Sequence, residues 1–181
     1  MRVIAGKYRG RRLSGPKHQG LRPTADRVKE ALFNILGTRI EDAVFLEPFA
    51  GSGAVGIEAL SRGAAMAVLA DQNMQSIKLV RENLKVVSPA DPVRLLHLPV
   101  DRLLERLARE ALCFDIIFLD PPFEAGLLPE TMAAIEKYRL LKDNGVLVVE
   151  HPRKDAPPQW GPGAADTRNY GDISLSFFMV K

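Results

Sequence analysis

Five short apolar runs alternate with helix-like stretches along most of this chain, and that rhythm restricts the fold more than any other feature. The runs lie at residues 43–46, 66–70, 93–98, 114–119 and 146–150. Between them, residues 54–62, 73–87, 102–111 and 129–138 read as helices. Ile77, Val80 and Leu84 form the inward side of the second of these, and Leu103, Leu104 and Leu107 that of the third. A helix also precedes the first run. Thr24 can cap it, Val28, Ala31, Leu32, Ile35 and Leu36 form one apolar stripe, and Gly37 closes it. Repeated strand-helix units call for a parallel sheet with helices on both faces. Right-handed crossovers in doubly wound order place the first and fourth strands side by side. After a proline-rich loop over 151–166, two more runs, 167–170 and 174–180, flank Gly171-Asp172 at the spacing of a closing antiparallel hairpin. The expected architecture is α/β, a doubly wound, mostly parallel sheet of seven strands.

The first run leads into Glu47-Pro48-Phe49-Ala50-Gly51-Ser52-Gly53-Ala54-Val55-Gly56. Gly51, Gly53 and Gly56 spell G-x-G-x-x-G between a strand and a helix, and Asp71 follows the next strand. Glycines allow a ligand to approach the backbone closely, and the later acid suits a ribose hydroxyl. The spacing fits NAD, FAD and S-adenosylmethionine sites alike, and glycines can also serve packing alone.

The fourth run, 114–119, ends in Asp120-Pro121-Pro122-Phe123. The carboxylate and the carbonyls near the prolines accept hydrogen bonds from a planar amino group. Each proline fixes its own φ and restricts the residue before it, so the turn is stiff before a ligand arrives. Phe123 offers a face on which a base can stack. Both motifs sit at the carboxyl ends of strands expected to be neighbours. A methyl donor in the first site and a nucleobase amine in the second is the economical reading.

The net charge of +3 is uneven. Arg2, Lys7, Arg9, Arg11, Arg12, Lys17, Arg22, Arg27 and Lys29 crowd the first thirty residues against Asp26 and Glu30. Residues 2–6 and 11–13 read as short strands of a hairpin that displays arginines to a polyanion. Residues 1–22 are therefore expected to form a basic hairpin extension and 23–181 the main domain. A hydrophobic share of 46% with 26% charged residues is that of an ordinary globular protein. No apolar run approaches a membrane span, the first residues lack a signal-peptide core, and Cys113 has no partner for a disulfide. A cytoplasmic location without membrane contact is expected. His18, His97 and His151 show no metal spacing, and no metal site is expected.

The chain resembles class I S-adenosylmethionine-dependent methyltransferases, and more narrowly the bacterial 16S rRNA (guanine 966-N2)-methyltransferase family. The resemblance rests on residues 2–7, Gly10-Arg11-Arg12-Leu13, Leu21-Arg22-Pro23-Thr24, residues 27–36, Phe49-Ala50-Gly51-Ser52-Gly53, residues 56–63 and Asp120-Pro121-Pro122-Phe123. It implies a Rossmann-like methyltransferase domain that binds S-adenosyl-L-methionine. Glu47, Phe49, Ala50, Gly51, Ser52 and Gly53 would cradle the methionine part of the donor, with Glu47-Pro48 standing where the family commonly has Asp-Leu. Asp71 would hold the ribose. Val100 and Asp101 would border the adenine, unless Asp101 only caps the helix behind it. Asp120, Pro121, Pro122 and Phe123 would hold the acceptor amine. Arg2, Lys7, Arg9, Arg11, Arg12, Arg22 and Arg27 would grip RNA phosphates. The implied partner is 16S rRNA or the small ribosomal subunit, met by a monomer.

Three rivals stand beside this reading. A nicotinamide oxidoreductase explains the glycines but not Asp120-Pro121-Pro122-Phe123. A DNA adenine-N6 methyltransferase, or another nucleic-acid amino methyltransferase, shares both motifs. A catalytically silent RNA-binding module needs neither.

Overall fold

The structure, a computed structural model, describes residues 1–15, 23–122, 126–156, 158–161 and 165–180. Among these residues seven strands form one sheet: β1 (Val44–Glu47), β2 (Met66–Asp71), β3 (Val93–His97), β4 (Phe114–Leu119), β5 (Leu141–Pro152), β6 (Asp166–Tyr170) and β7 (Ile173–Met179). Their order is β3-β2-β1-β4-β5-β7-β6, parallel up to β5 and antiparallel beyond it. The doubly wound expectation holds, and β1 lies against β4 with Phe45 beside Ile116 and Leu46 beside Ile117.

Alternate residues of each central strand feed opposite faces. Phe45, Ile116, Phe118, Val146 and Val148 pack with α1 (Pro23–Leu36) and Ala59 of α2 (Ala54–Ser61). Leu46, Ile117, Leu119, Leu147 and Val149 pack with Leu103, Leu104 and Leu107 of α4 (Val100–Arg109) and with Met132 and Ile135 of α5 (Leu128–Lys137). Val80 of α3 (Met74–Asn83) joins Leu60, Ala67 and Leu69. Among the described residues no helix is long and apolar enough to cross a membrane.

Two local expectations change. In α1, Ile35 is 41% exposed, and Phe33 fills the core in its place beside Ala59. The strand expected at 146–150 already begins at Leu141: its register on β4 shifts between Phe114 and Ile116, and Asn144 adopts φ 62°. Asparagine tolerates that left-handed conformation, so the strand runs on from Leu141 through the register shift. Trp160, in the proline-rich loop, anchors that loop, donating from Nε1 to the Met132 carbonyl at 3.2 Å and meeting Phe178 edge to face.

The N-terminal hairpin is a minimal one. Arg2 and Arg12 form a single antiparallel bridge, flanked by Val3 N–H to Arg11 O, Gly10 N–H to Val3 O and Leu13 N–H to Met1 O. Val3 and Leu13 bury their side chains against Ala54 and Ile57.

Candidate active site

Two clefts open at the carboxyl edge of the sheet. The smaller, about 770 Å³, is lined by Pro48, Phe49, Gly51, Asp71, Val100, Asp101, Asp120, Pro121 and Pro122 among others. The larger, about 1270 Å³, includes Glu47, Phe49, Ala50, Gly51, Ser52, Phe118 and Asp120 in its wall. Phe49, Gly51 and Asp120 belong to both. The motif residues from the two neighbouring strand ends therefore meet in space, with Asp120 at the junction.

The glycine turn is held from below. Ala50 N–H donates to Ala70 O at 2.8 Å, and Gly53 N–H donates to Ala50 O. Gly51 and Gly53 take φ of 53° and 73°, which favour glycine. A Cβ at Gly51 would meet nothing within 4 Å, so its backbone faces open space on the cleft side. Gly53 is packed against Val80 and lines neither cleft. Gly56 serves packing: a Cβ there would lie 2.2 Å from Leu69 Cδ2.

Asp71 is tied to the same turn. Its Oδ2 accepts from Gly51 N–H at 2.9 Å and its Oδ1 from Asn73 N–H at 2.7 Å. A carboxylate fixed this way keeps acceptor capacity at the wall of the smaller cleft, of the kind a diol would need. Asp101 stands in the first turn of α4, whose capping position is Pro99, so Asp101 does not cap the helix and its exposed side chain lies at the cleft wall. A groove of this volume, with an open glycine backbone, an acid after β2 and a polar wall at α4, fits a nucleoside-bearing cofactor.

Glu47 is 3% exposed. Its Oε2 accepts from Gly56 N–H at 2.9 Å, and burial pushes its carboxyl up to about 8, the charge of Asp120 adding to the rise and Lys29 opposing it. Glu47 therefore braces the start of α2 and faces the larger cleft.

The arm residues Arg2, Lys7, Arg9, Arg11 and Arg12 are exposed, as is Arg27 on α1. Lys7 Nζ pairs with Asp91 at 2.6 Å. Met1 reaches the wall of the larger cleft. Arg22 and Phe123, named from the sequence, lie outside the described residues.

A family model described as "Conserved hypothetical protein 95" matches residues 1–179. The chain belongs to that family. Ribosomal RNA small subunit methyltransferase D of Escherichia coli K12 is 40% identical over 158 residues, 87% of this chain and 78% of that protein. The solved structure of Escherichia coli yhhF superposes with a TM-score of 0.86 at 32% identity, covering 100% of this chain and 98% of the other. The fold alone is shared with a Thermus thermophilus 16S rRNA N2 methyltransferase solved with AdoMet and guanosine, at TM-score 0.70 and 23% identity over 91% of this chain and 45% of that one.

Sequence reasoning missed several residues of the larger cleft. Lys29, 5% exposed, sits on α1, and burial lowers its pKa although Glu58 and Asp26 pull it back up. Arg153 and Lys154 follow β5, where Arg153 N–H donates to Asp172 O at 2.8 Å and holds the loop beside the cleft. No local pattern marks these residues; the contacts that place them span long stretches of chain.

Proposed function

We propose that this chain transfers the methyl group of S-adenosyl-L-methionine to the exocyclic N2 of a guanine in small-subunit rRNA, guanine 966 by the resemblance. Methylation of rRNA is what the name of the Escherichia coli relative states, and the clefts suit both reactants. The single observation that carries the reading is that Asp120 belongs to both clefts at the β1–β4 junction.

The donor would be held in the smaller cleft by the Gly51 backbone, Asp71, Val100 and Asp101, and when bound it supplies an already activated methyl group. Asp120 and the Pro121 carbonyl accept hydrogen bonds from the acceptor NH2 and orient its nitrogen toward the smaller cleft. The delocalised lone pair makes orientation the principal difficulty, and fixing it is the main contribution of these residues. Asp120 also takes the proton once the nitrogen has become acidic. The guanine must leave its stack to enter the larger cleft, with Phe123 as the stacking face. Arg2, Lys7, Arg9, Arg11, Arg12, Arg22 and Arg27 contact phosphates and set affinity rather than sequence. Residues 1–22 act as an RNA-gripping extension of a cytoplasmic monomer that uses no metal.

Asp120→Ala should lower methyl transfer by about 10²-fold or more while donor affinity stays within about threefold. Labelled donor, 16S rRNA, small-subunit particles and DNA are compared, and the product nucleoside is identified by mass spectrometry. N6-methyladenine as the product, or loss of donor binding in Asp120→Ala, refutes the assignment.

A further inference from the structure

Residues 56–63, Gly56-Ile57-Glu58-Ala59-Leu60-Ser61-Arg62-Gly63, carry part of the family resemblance, yet none of them lines either cleft. The side chains of Glu58 and Ser61 bond the basic arm instead. Glu58 is fully buried. Its Oε2 accepts from Ile4 N–H at 2.8 Å, and its Oε1 accepts from Ala5 N–H at 3.0 Å and from Arg62 Nε at 2.8 Å. A buried carboxylate is costly unless charge-assisted bonds satisfy it, and two of these donors are main-chain groups of the arm. Ser61 makes three further bonds. Its Oγ donates to Ala5 O at 2.5 Å and accepts from Tyr8 N–H at 2.9 Å, and its carbonyl accepts from Lys7 N–H at 2.8 Å. Gly6 passes directly over Ser61: at φ 79°, a Cβ would lie 1.8 Å from the Ser61 carbonyl oxygen.

The arm is also tied at two places to the wall of the larger cleft. Lys29, in the wall of the larger cleft, donates from Nζ to Arg2 O at 2.7 Å and stands 3.5 Å from Glu58. Asn83 accepts from Ser14 N–H at 2.7 Å and donates from Nδ2 to Ser14 O at 3.0 Å and to Ser52 O at 2.8 Å on the glycine turn. The tip of the arm is fastened by Lys7 and Tyr8 on Asp91 and by Ser88 N–H on the Tyr8 hydroxyl. Main-chain groups are thus secured at both ends and at the turn, while Arg9, Arg11 and Arg12 remain exposed.

We propose that Glu58 and Ser61 are positioning residues for RNA binding: they lock the arm to the catalytic body in one orientation, so that its arginines hold phosphates in register with a base placed at Asp120. The proposal rests on the reading of the arm as an RNA grip. Flexible arginines would still attract RNA, but the ordering would then fall on each binding event, and a misplaced grip costs productive geometry.

The test uses the full-length protein with Gly6→Ala, which pushes the arm off Ser61 while leaving every polar group of the socket in the chain. KM and kcat for 16S rRNA, donor affinity, the salt dependence of kcat/KM and the thermal midpoint are measured. KM should rise by about tenfold, with kcat and donor affinity changing by less than about threefold, and the salt slope should become shallower because fewer phosphates are held together. Glu58→Gln, which keeps one carbonyl acceptor, should give the same pattern at smaller amplitude. In an Arg11→Glu/Arg12→Glu background, adding Gly6→Ala should raise KM by less than about twofold further, because both act through one contact. Full additivity there, an unchanged KM in both socket variants, or parallel losses of kcat, donor affinity and RNA affinity would overturn the proposal. If the arginine reversals leave the KM of otherwise wild-type protein unchanged, the arm reading itself falls, and the socket proposal with it.

Discussion

Replacing Glu47 with glutamine should make the protein less sensitive to alkaline pH. Glu47 is buried at the end of β1, and burial, reinforced by the charge of Asp120, pushes its carboxyl from 4.5 up to about 8 against the opposing Gly56 N–H and Lys29. In the unfolded chain the group ionises near 4.5; in the folded protein it holds its proton to about 8. Between those values folding takes up a proton. The stabilisation is complete below the unfolded value and is lost as pH rises through the folded one. The loss is about 1.4 kcal/mol per pH unit, or ~4–5 kcal/mol across the window. That is a large share of a typical total of about 5–15 kcal/mol. Glutamine has the same shape, keeps a carbonyl oxygen for Gly56 N–H and cannot ionise. Urea unfolding of both proteins should therefore give a stability difference that shifts steadily in favour of the variant as pH climbs. A difference that stays constant over the range would refute the reasoning, because it would mean that Glu47 has the same proton affinity folded and unfolded.

Gly56→Ala should destabilise the fold by about 1–3 kcal/mol in the same assay, since its Cβ would sit 2.2 Å from Leu69 Cδ2 and 2.9 Å from Glu47 Oε2; unchanged stability would mean that α2 is free to shift away from β2. Asp71→Ala removes the acceptor for Gly51 N–H and Asn73 N–H, and calorimetry should find donor affinity lowered by about tenfold or more. Unaltered affinity would remove Asp71 from the donor site.

What the sequence made legible was whatever depends on neighbours along the chain. The strand runs and the glycine spacing were local patterns, and the handed crossover rule was enough to place β1 beside β4. Phe33 and Ile35 mark where that reasoning stops. Two residues apart, they point to different sides of α1, and it is the side carrying Phe33, in one cluster with Ala59 and β4, that goes in while Ile35 stays out. The early start of β5 depends on one residue, Asn144, accepting a left-handed conformation within a strand. Glu58 and Lys29 are harder still, because their partners in the arm lie 53 or 54 residues away for Glu58 and 27 away for Lys29. A charged residue inside an apolar helix pattern announces burial with a partner, but not which partner.

The contrast between Glu47 and Asp120 shows how one sheet edge gives two similar acids different tasks. They end adjacent strands and share the larger cleft, yet Glu47 is buried and Asp120 exposed. A second full negative charge beside Asp120 would be unfavourable, and part of the rise at Glu47 is that repulsion. Keeping Glu47 protonated near neutral pH relieves it without removing the acceptor that Gly56 N–H needs. Glu47 then braces the start of α2 as a neutral group while Asp120 faces the junction where an amine would be held. Environments that push neighbouring acids apart in this way separate structural from chemical roles, and here the separation follows from one residue lying beneath the turn and the other at its mouth.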